Sequence, residues 1–316
     1  MVSVNKPLVS VVIPLFNKEK YIKATLESVV NQTYSEIELV IVDDSSTDRS
    51  YELAQDYLQP YLNRFRDITL RSRKNTGQAG ARNDGVLEAK GEFIAFLDAD
   101  DIWHPEKIDK QVQFLVENQD QNLVFCNYLM VFENSPKVKA VKLTPIHKKV
   151  VSWLLTVGYG GLLESTGMAR KSSLLEMGGF DSNLQMCGGL DLAYRYKHRN
   201  GIGCVNEYLC GYRVTKDGWH NNKSDLVQSY ELLLAKTDLY REYETKASKY
   251  LRIHLCIWSL RNSFTLLNAS ALFVEFVRNP IAFSSYVLAT TSRVFLATLR
   301  GATLREDSRI MRGLMS

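Results

Sequence analysis

The sequence predicts an α/β fold, and three observations predict it. Short, nearly unbroken apolar runs (Val9–Leu15, Ile37–Val42, Phe93–Leu97) have the pattern of strands covered on both faces. Segments of helical periodicity alternate with them, the mark of a parallel sheet with right-handed crossovers. Two of the runs stop abruptly in carboxylates, Val42 in Asp43–Asp44 and Leu97 in Asp98, Asp100 and Asp101.

Taken in order, VSVVIPL is the first buried strand. Asn17 is placed to cap a helix carrying Tyr21, Ile22, Ala24, Leu26, Val29 and Val30. IELVIV is the second strand, and Ser46 or Thr47 is placed to cap the helix through Leu53, Ala54 and Tyr57. Ile68–Arg71 reads as a third strand, followed by the glycine-rich NTGQAGARNDG (Asn75–Gly85), a short helix and the strand FIAFL. Beyond Val150 the alternation weakens. Leu162–Asp191 mixes glycine with short apolar runs, Leu226–Glu244 reads as a helix, and Lys249–Met315 has helical periodicity broken by Pro280.

A chain of 316 residues can bury one large core and a smaller appendage. Its net charge of +4 is unevenly divided: Lys249–Ser316 carries nine Lys or Arg against three acids, a local +6. No nucleic-acid partner is expected. The five cysteines form no zinc-type pair, and an odd number argues against a complete disulfide framework. No secretory leader or spanning stretch is visible, so a cytoplasmic protein is expected. Neither GxGxxG nor GxxxxGK[ST] occurs, which removes the dinucleotide and P-loop phosphate cradles.

The carboxylates carry the chemistry. Strand alternation would put Asp98 and Asp100 on one side, where two repelling carboxylates call for a cation between them. Hard oxygen ligands suit Mg2+ or Mn2+. The competing reading of Asp101 is a cap for the helix opened by Pro105 and Glu106. Ligands of open α/β sheets bind beyond the carboxyl ends of strands at the topological switch point, which places both acidic clusters beside one crevice.

The ordered set VSVVIPLFN, SVVNQTYSEIELVIVDDSSTD, NTGQAGARNDGV, GEFIAFLDADD and MGGFD resembles the family-2 glycosyltransferases of GT-A fold, from about Val9 to Ser224. The resemblance implies a Rossmann-like, mainly parallel sheet flanked by helices in residues 1–225, with a helical extension in 226–316. It implies an inverting sugar transfer from a nucleoside diphosphate sugar, usually UDP-linked, assisted by Mn2+ or Mg2+. On matching positions, Asp44 would contact the base, Pro14 and Phe16 would form the wall under it, and Arg82 would lie near the diphosphate. Asp98 would meet ribose or sugar hydroxyls and share the metal with Asp100. The other reading of Arg82 is a surface helix residue.

Two departures stand out. The family usually supplies its base from a Glu-Asp pair after GGFD, and here those positions fall on Gly188 and Gly189, leaving Asp191. Three explanations compete: Asp191 serves as base, Glu164 reaches in from another segment, or transfer is lost and donor binding kept. Asp191 as the N-cap of a helix Leu192–His198 is the structural alternative. A histidine that many members carry shortly after Tyr-Arg is replaced by Thr215, and His220 is the remaining candidate ligand.

Leu251–Leu299 sets regularly spaced arginines in apolar sequence, suited either to an interface with anionic lipid or to a helical cap in water. The leading function is therefore a transferase acting on a glycan or lipid-linked acceptor in polysaccharide biosynthesis. A catalytically impaired nucleotide-sugar binder acting as partner or regulator is the alternative. A phosphoryl-accepting receiver domain is disfavoured, because it leaves Asp98 and Asp100 without a role.

Overall fold

The computed structural model describes residues 6–133, 135, 138–141, 163–184, 186, 188–199, 201–215, 228, 229 and 232. His220, the boundary at 225 and nearly all of the C-terminal extension lie outside them.

One sheet organises these residues, in the order Asp67–Ser72, Ile37–Asp43, Val9–Leu15, Phe93–Phe96, Met168–Arg170, Leu123–Phe132, Ile202–Val214 and Ile102–Trp103, with Val138–Val141 paired to Leu123–Phe132. Strands β1 (Val9–Leu15), β2 (Ile37–Asp43), β3 (Asp67–Ser72) and β4 (Phe93–Phe96) are mutually parallel. Helices α1 (Ile22–Val30), α2 (Ser50–Leu58) and α3 (Gln78–Glu88) make the crossovers. The remaining strands are β5 (Ile102–Trp103), β6 (Leu123–Phe132), β7 (Val138–Val141), β8 (Met168–Arg170) and β9 (Ile202–Val214). These extend the parallel half with antiparallel pairings, except that β6 and β9 run parallel. Helices α4 (Lys107–Glu117), α5 (Lys171–Glu176) and α6 (Gly188–Arg199) complete the frame.

The chain runs from β1 outward to β2 and β3, then returns to place β4 on the other side of β1. The switch point is therefore the carboxyl end of β1, flanked by Asp43–Asp44 and by the turn after Phe96. Both β1 and β2 are fully buried, which explains their unbroken apolar sequence. Pro14 is tolerated in this central strand for a geometric reason. The Val12 carbonyl accepts from Leu97 on the β4 side and the Leu15 carbonyl from Asp44 on the β2 side. By alternation the missing Pro14 N–H faces β4, whose pairing with β1 ends at Val12–Phe96.

Several expected caps are not formed. Asn17 does not cap α1, whose N-cap is Tyr21 with no side-chain bond. Asn17 instead adopts φ 50° and its carboxamide oxygen accepts from the Thr47 amide at 2.8 Å. Neither Ser46 nor Thr47 caps α2, whose N-cap is Arg49. Ser46 Oγ accepts from the Asn17 amide, and Asp48 accepts from the Ser50 amide. The two loops at the switch point are laced to each other rather than to their own helices. Ser45, also at positive φ (65°), is the second non-glycine residue there in the left-handed region. Such conformations cost energy and persist where surrounding contacts fix them.

Helix α3 lies on β1 at Gly85, where a Cβ would fall 2.4 Å from Val12 Cγ1. Val12 is β-branched and in a central strand, so it cannot turn away. Gly85→Ala is expected to lower stability by about 1–2 kcal/mol, overpacking outweighing the gain in helix propensity. A urea midpoint equal to that of the parent would contradict this packing.

Candidate active site

Strand β4 ends at Phe96, one residue before the expected end, so Asp98–Asp101 form a turn closed by the Asp101 amide on the Asp98 carbonyl. The shared orientation expected from strand alternation therefore does not apply. Each carboxylate of the turn is met separately. Asp98 Oδ1 accepts from Arg82 Nη2 at 2.5 Å, and Asp100 Oδ2 from Lys18 Nζ at 2.5 Å. Asp101 is fully buried and accepts from Ser165 Oγ at 2.5 Å and from the Arg213 amide at 2.9 Å. It is not a helix cap: α4 begins at Lys107 after Glu106. Burial, then the charges of Asp100 and Asp98, push its carboxyl well above the ordinary range.

Arg82 projects from α3 and is 3% exposed, so it is not a surface helix residue. Its second terminal nitrogen lies 3.5 Å from Glu164 Oε1, and its guanidinium centre 5.4 Å from the Phe180 ring centroid. Burial works to lower its pKa, but Asp98 and Glu164 outweigh it and the net shift is upward. Its Nε is buried and has no hydrogen-bond partner among the described residues.

Asp44 is buried at the end of β2, and both its oxygens hold the glycine-rich loop. Oδ1 accepts from the Thr76 amide at 3.0 Å and Oδ2 from the Gly77 amide at 2.9 Å. Gly77, at φ 85°, then opens α3, so Asp44 also fixes the start of the helix that carries Arg82. Phe16, 36% exposed, stands beside it just beyond β1, while Pro14 is buried within the strand.

The structure separates the two candidate bases. Asp191 is in the first turn of α6, not before it, and Arg195 Nε and Nη2 meet its Oδ2 at 2.9 and 2.8 Å. Arg195 also donates to the carbonyls of Met177 and Gly179, so the pair clamps the turn before Phe180. Glu164 opens the 3-10 turn Glu164–Thr166, and its Oε1 accepts from the Gly189 amide at 2.8 Å.

Sequence reasoning missed Lys18 and Ser165 and used Arg213 only as a landmark. Ser165 accepts from the Asp98 amide, donates to Asp101 and offers its carbonyl to Trp103 Nε1. Arg213 Nε donates to the Asp100 carbonyl. The only sequence signal for Lys18 was a cation just past the first strand. Among the described residues, no group of three or more His, Cys, Asp or Glu is placed to hold a metal. Cys126 and Cys210 are buried free thiols.

The family described as "Glycosyl transferase family 2" matches residues 10–159. An uncharacterized glycosyltransferase of Methanocaldococcus jannaschii is 30% identical over 264 residues, covering 80% of this chain and 83% of that protein. The UDP-Glc:alpha-D-GlcNAc-diphosphoundecaprenol beta-1,3-glucosyltransferase WfaP of Escherichia coli is 37% identical over 142 residues, 42% of this chain and 53% of that enzyme. The crystal structure of S. aureus TarS 1-349 in complex with UDP-GlcNAc superposes with TM-score 0.61 at 18% identity, over 90% of this chain and 83% of that one. A mannosyltransferase from Pyrobaculum calidifontis in complex with GDP-Man and Mn2+ gives 0.57 at 19% identity, over 96% and 89%. These two likenesses establish the GT-A fold; the sequence matches establish the family. With its parallel half, its switch point and its acidic turn in place, the chain belongs to glycosyl transferase family 2 and is a glycosyltransferase.

Proposed function

We propose that this transferase moves a sugar, with inversion, from a UDP-sugar to a glycan or lipid-linked acceptor in polysaccharide biosynthesis. The observation that carries the reading is the grouping at the switch point of Asp44 after β2, Arg82 on α3 and the Asp98–Asp101 turn after β4, with Asp44 fixing the start of α3 and Arg82 bonded to Asp98. The E. coli relative, whose name gives a UDP-glucose donor and a diphosphoundecaprenol-linked acceptor, supports the same classes.

The base of the donor would lie against Phe16 and the end of β1 at Pro14. Asp44 would accept from the ring N–H with a lone pair left over from its two loop bonds, since an ionised carboxylate offers about four acceptor sites. Asp98, steadied by Arg82, would receive ribose or sugar hydroxyls. Arg82, nearly buried and held by two carboxylates, would act on the diphosphate through its field more than by direct contact.

For a divalent cation the donor chemistry fits. Asp100 gives a hard oxygen, one of its oxygens takes no hydrogen bond among the described residues, and its side chain is 15% exposed. Mg2+ and Mn2+ sites of this kind use one or two carboxylates plus substrate phosphates. Asp100 would hold the ion, with Asp98 beside it and His220 a further ligand on sequence grounds. When bound, the ion neutralises charge developing on the leaving diphosphate. Lys18 now supplies positive charge at the same oxygen pair and must yield to it.

Among the described residues no helix is long and apolar enough to cross a membrane. The arginine-spaced apolar stretch Leu251–Leu299 supports, on its sequence, peripheral contact with anionic lipid at the inner face. That location suits a lipid-linked acceptor.

The reading is tested by offering UDP-glucose and UDP-GlcNAc with Mn2+ and a synthetic GlcNAc-diphosphate lipid, and measuring UDP release and glycoside product. Product formation is expected; UDP-sugars that neither bind nor turn over would contradict it. In calorimetry with Mn2+, Asp100→Asn should abolish the metal's enhancement of UDP binding, while Lys18→Met should lower the Mn2+ concentration needed for half-maximal enhancement. An unaltered Mn2+ response in Asp100→Asn would remove the acidic turn from the metal site. Asp44→Ala should weaken UDP at least about tenfold, the scale of one lost bond to a charged acceptor, with the Mn2+ requirement intact. Unchanged uridine affinity would take Asp44 out of the nucleotide site.

A further inference from the structure

The positions where the family carries its acidic pair hold Gly188 and Gly189, yet the space beside them is not without a carboxylate. A Cβ on Gly188 would stand 3.2 Å from Glu164 Oε1 and 3.2 Å from Phe180 Cδ1. The same Glu164 oxygen accepts from the Gly189 amide at 2.8 Å. The Glu164 carboxylate thus lies against the backbone of both glycines, where a side chain at 188 would crowd it. Resting on the transferase reading above, we propose that Glu164 is the catalytic base of this chain, and that Gly188 is the accommodation that lets a carboxylate from another segment take over the role.

Three further observations support the assignment. Glu164 belongs to the same charge chain as the donor site: Asp98 to Arg82 at 2.5 Å, Arg82 to Glu164 at 3.5 Å. Its segment is fixed from below, because Ser165 is bonded to Asp98, Asp101 and Trp103, and the Thr166 carbonyl accepts from Gln111 at 2.9 Å. Among the described residues only Oε1 is engaged. Oε2 takes no hydrogen bond among the described residues, and the side chain keeps 14% of its surface open. Asp191 offers the opposite picture, with a side chain 3% exposed and one oxygen gripped by two nitrogens of Arg195. Its role is to hold the turn before Phe180.

The step balances without a co-reactant. The acceptor oxygen forms a bond to the anomeric carbon as the bond from that carbon to the diphosphate oxygen breaks. The electron pair leaves with UDP, and the hydroxyl proton passes to Glu164 Oε2 and then to solvent. A positioned base of this kind is worth about 100- to 10,000-fold in rate.

The test uses the full chain with UDP-glucose or UDP-GlcNAc, Mn2+ and the GlcNAc-diphosphate lipid. In Glu164→Gln the amide oxygen can still accept from Gly189, so the fold is retained. The expected result is UDP affinity within about threefold of the parent and transfer reduced at least about a hundredfold. Gly188→Ala, which pushes on the carboxylate without removing it, should lower kcat at an unchanged donor KM. Transfer by Glu164→Gln at the parent rate overturns the assignment. So does a parallel loss of UDP binding, the outcome of a purely structural role. A parent chain that transfers nothing while binding UDP sinks the transferase reading itself, a result distinct from either.

Discussion

Three carboxylates in four residues at the end of a buried strand cannot stand together unless positive charge or hydrogen-bond donors meet each one, and the site is arranged around that requirement. Asp98, Asp100 and Asp101 are answered by Arg82 from α3, Lys18 from the loop after β1, and Ser165 with the Arg213 amide from the far half of the sheet. The turn therefore ties the parallel half to the mixed half. Burial first, and then the charges of Asp100 and Asp98, hold the Asp101 carboxyl well above its ordinary range.

The rest of the site follows from the same economy of charge. Asp44 holds with both oxygens the loop that starts α3, so from its place at the switch point it positions Arg82 indirectly. Arg82 then reaches Asp98 and Glu164 at once. Donor binding and proton removal would in this way share one buried cation. A change at any of these groups is expected to be felt by the others, since neighbours in one network are not additive.

The parallel half was legible because its strands are covered on both faces and their apolar runs are nearly unbroken. The runs at Val9, Ile37 and Phe93 matched strands to within one residue. The caps were not legible. Asn17, Ser46 and Thr47 are common N-cap residues, but each found its partner in the neighbouring loop, a tertiary contact that sequence spacing does not encode. Asp191 was read as a cap or a base and is inside α6, paired to Arg195. Asp98 and Asp100 were expected to converge through strand alternation, but β4 ends at Phe96, too early to orient them, and each meets its own cation. Ser165 carried no local signal, because its importance comes entirely from residues more than sixty positions away.

The central claim is that a uridine diphosphate donor binds at the switch point between β1, β2 and β4. A crystal structure of the chain with UDP and Mn2+ tests it most directly. The account predicts uracil between Phe16 and Asp44, and the diphosphate toward Asp100 with Lys18 displaced from that carboxylate. Nucleotide bound elsewhere, or bound here with Lys18 still on Asp100 and no ion present, would contradict it.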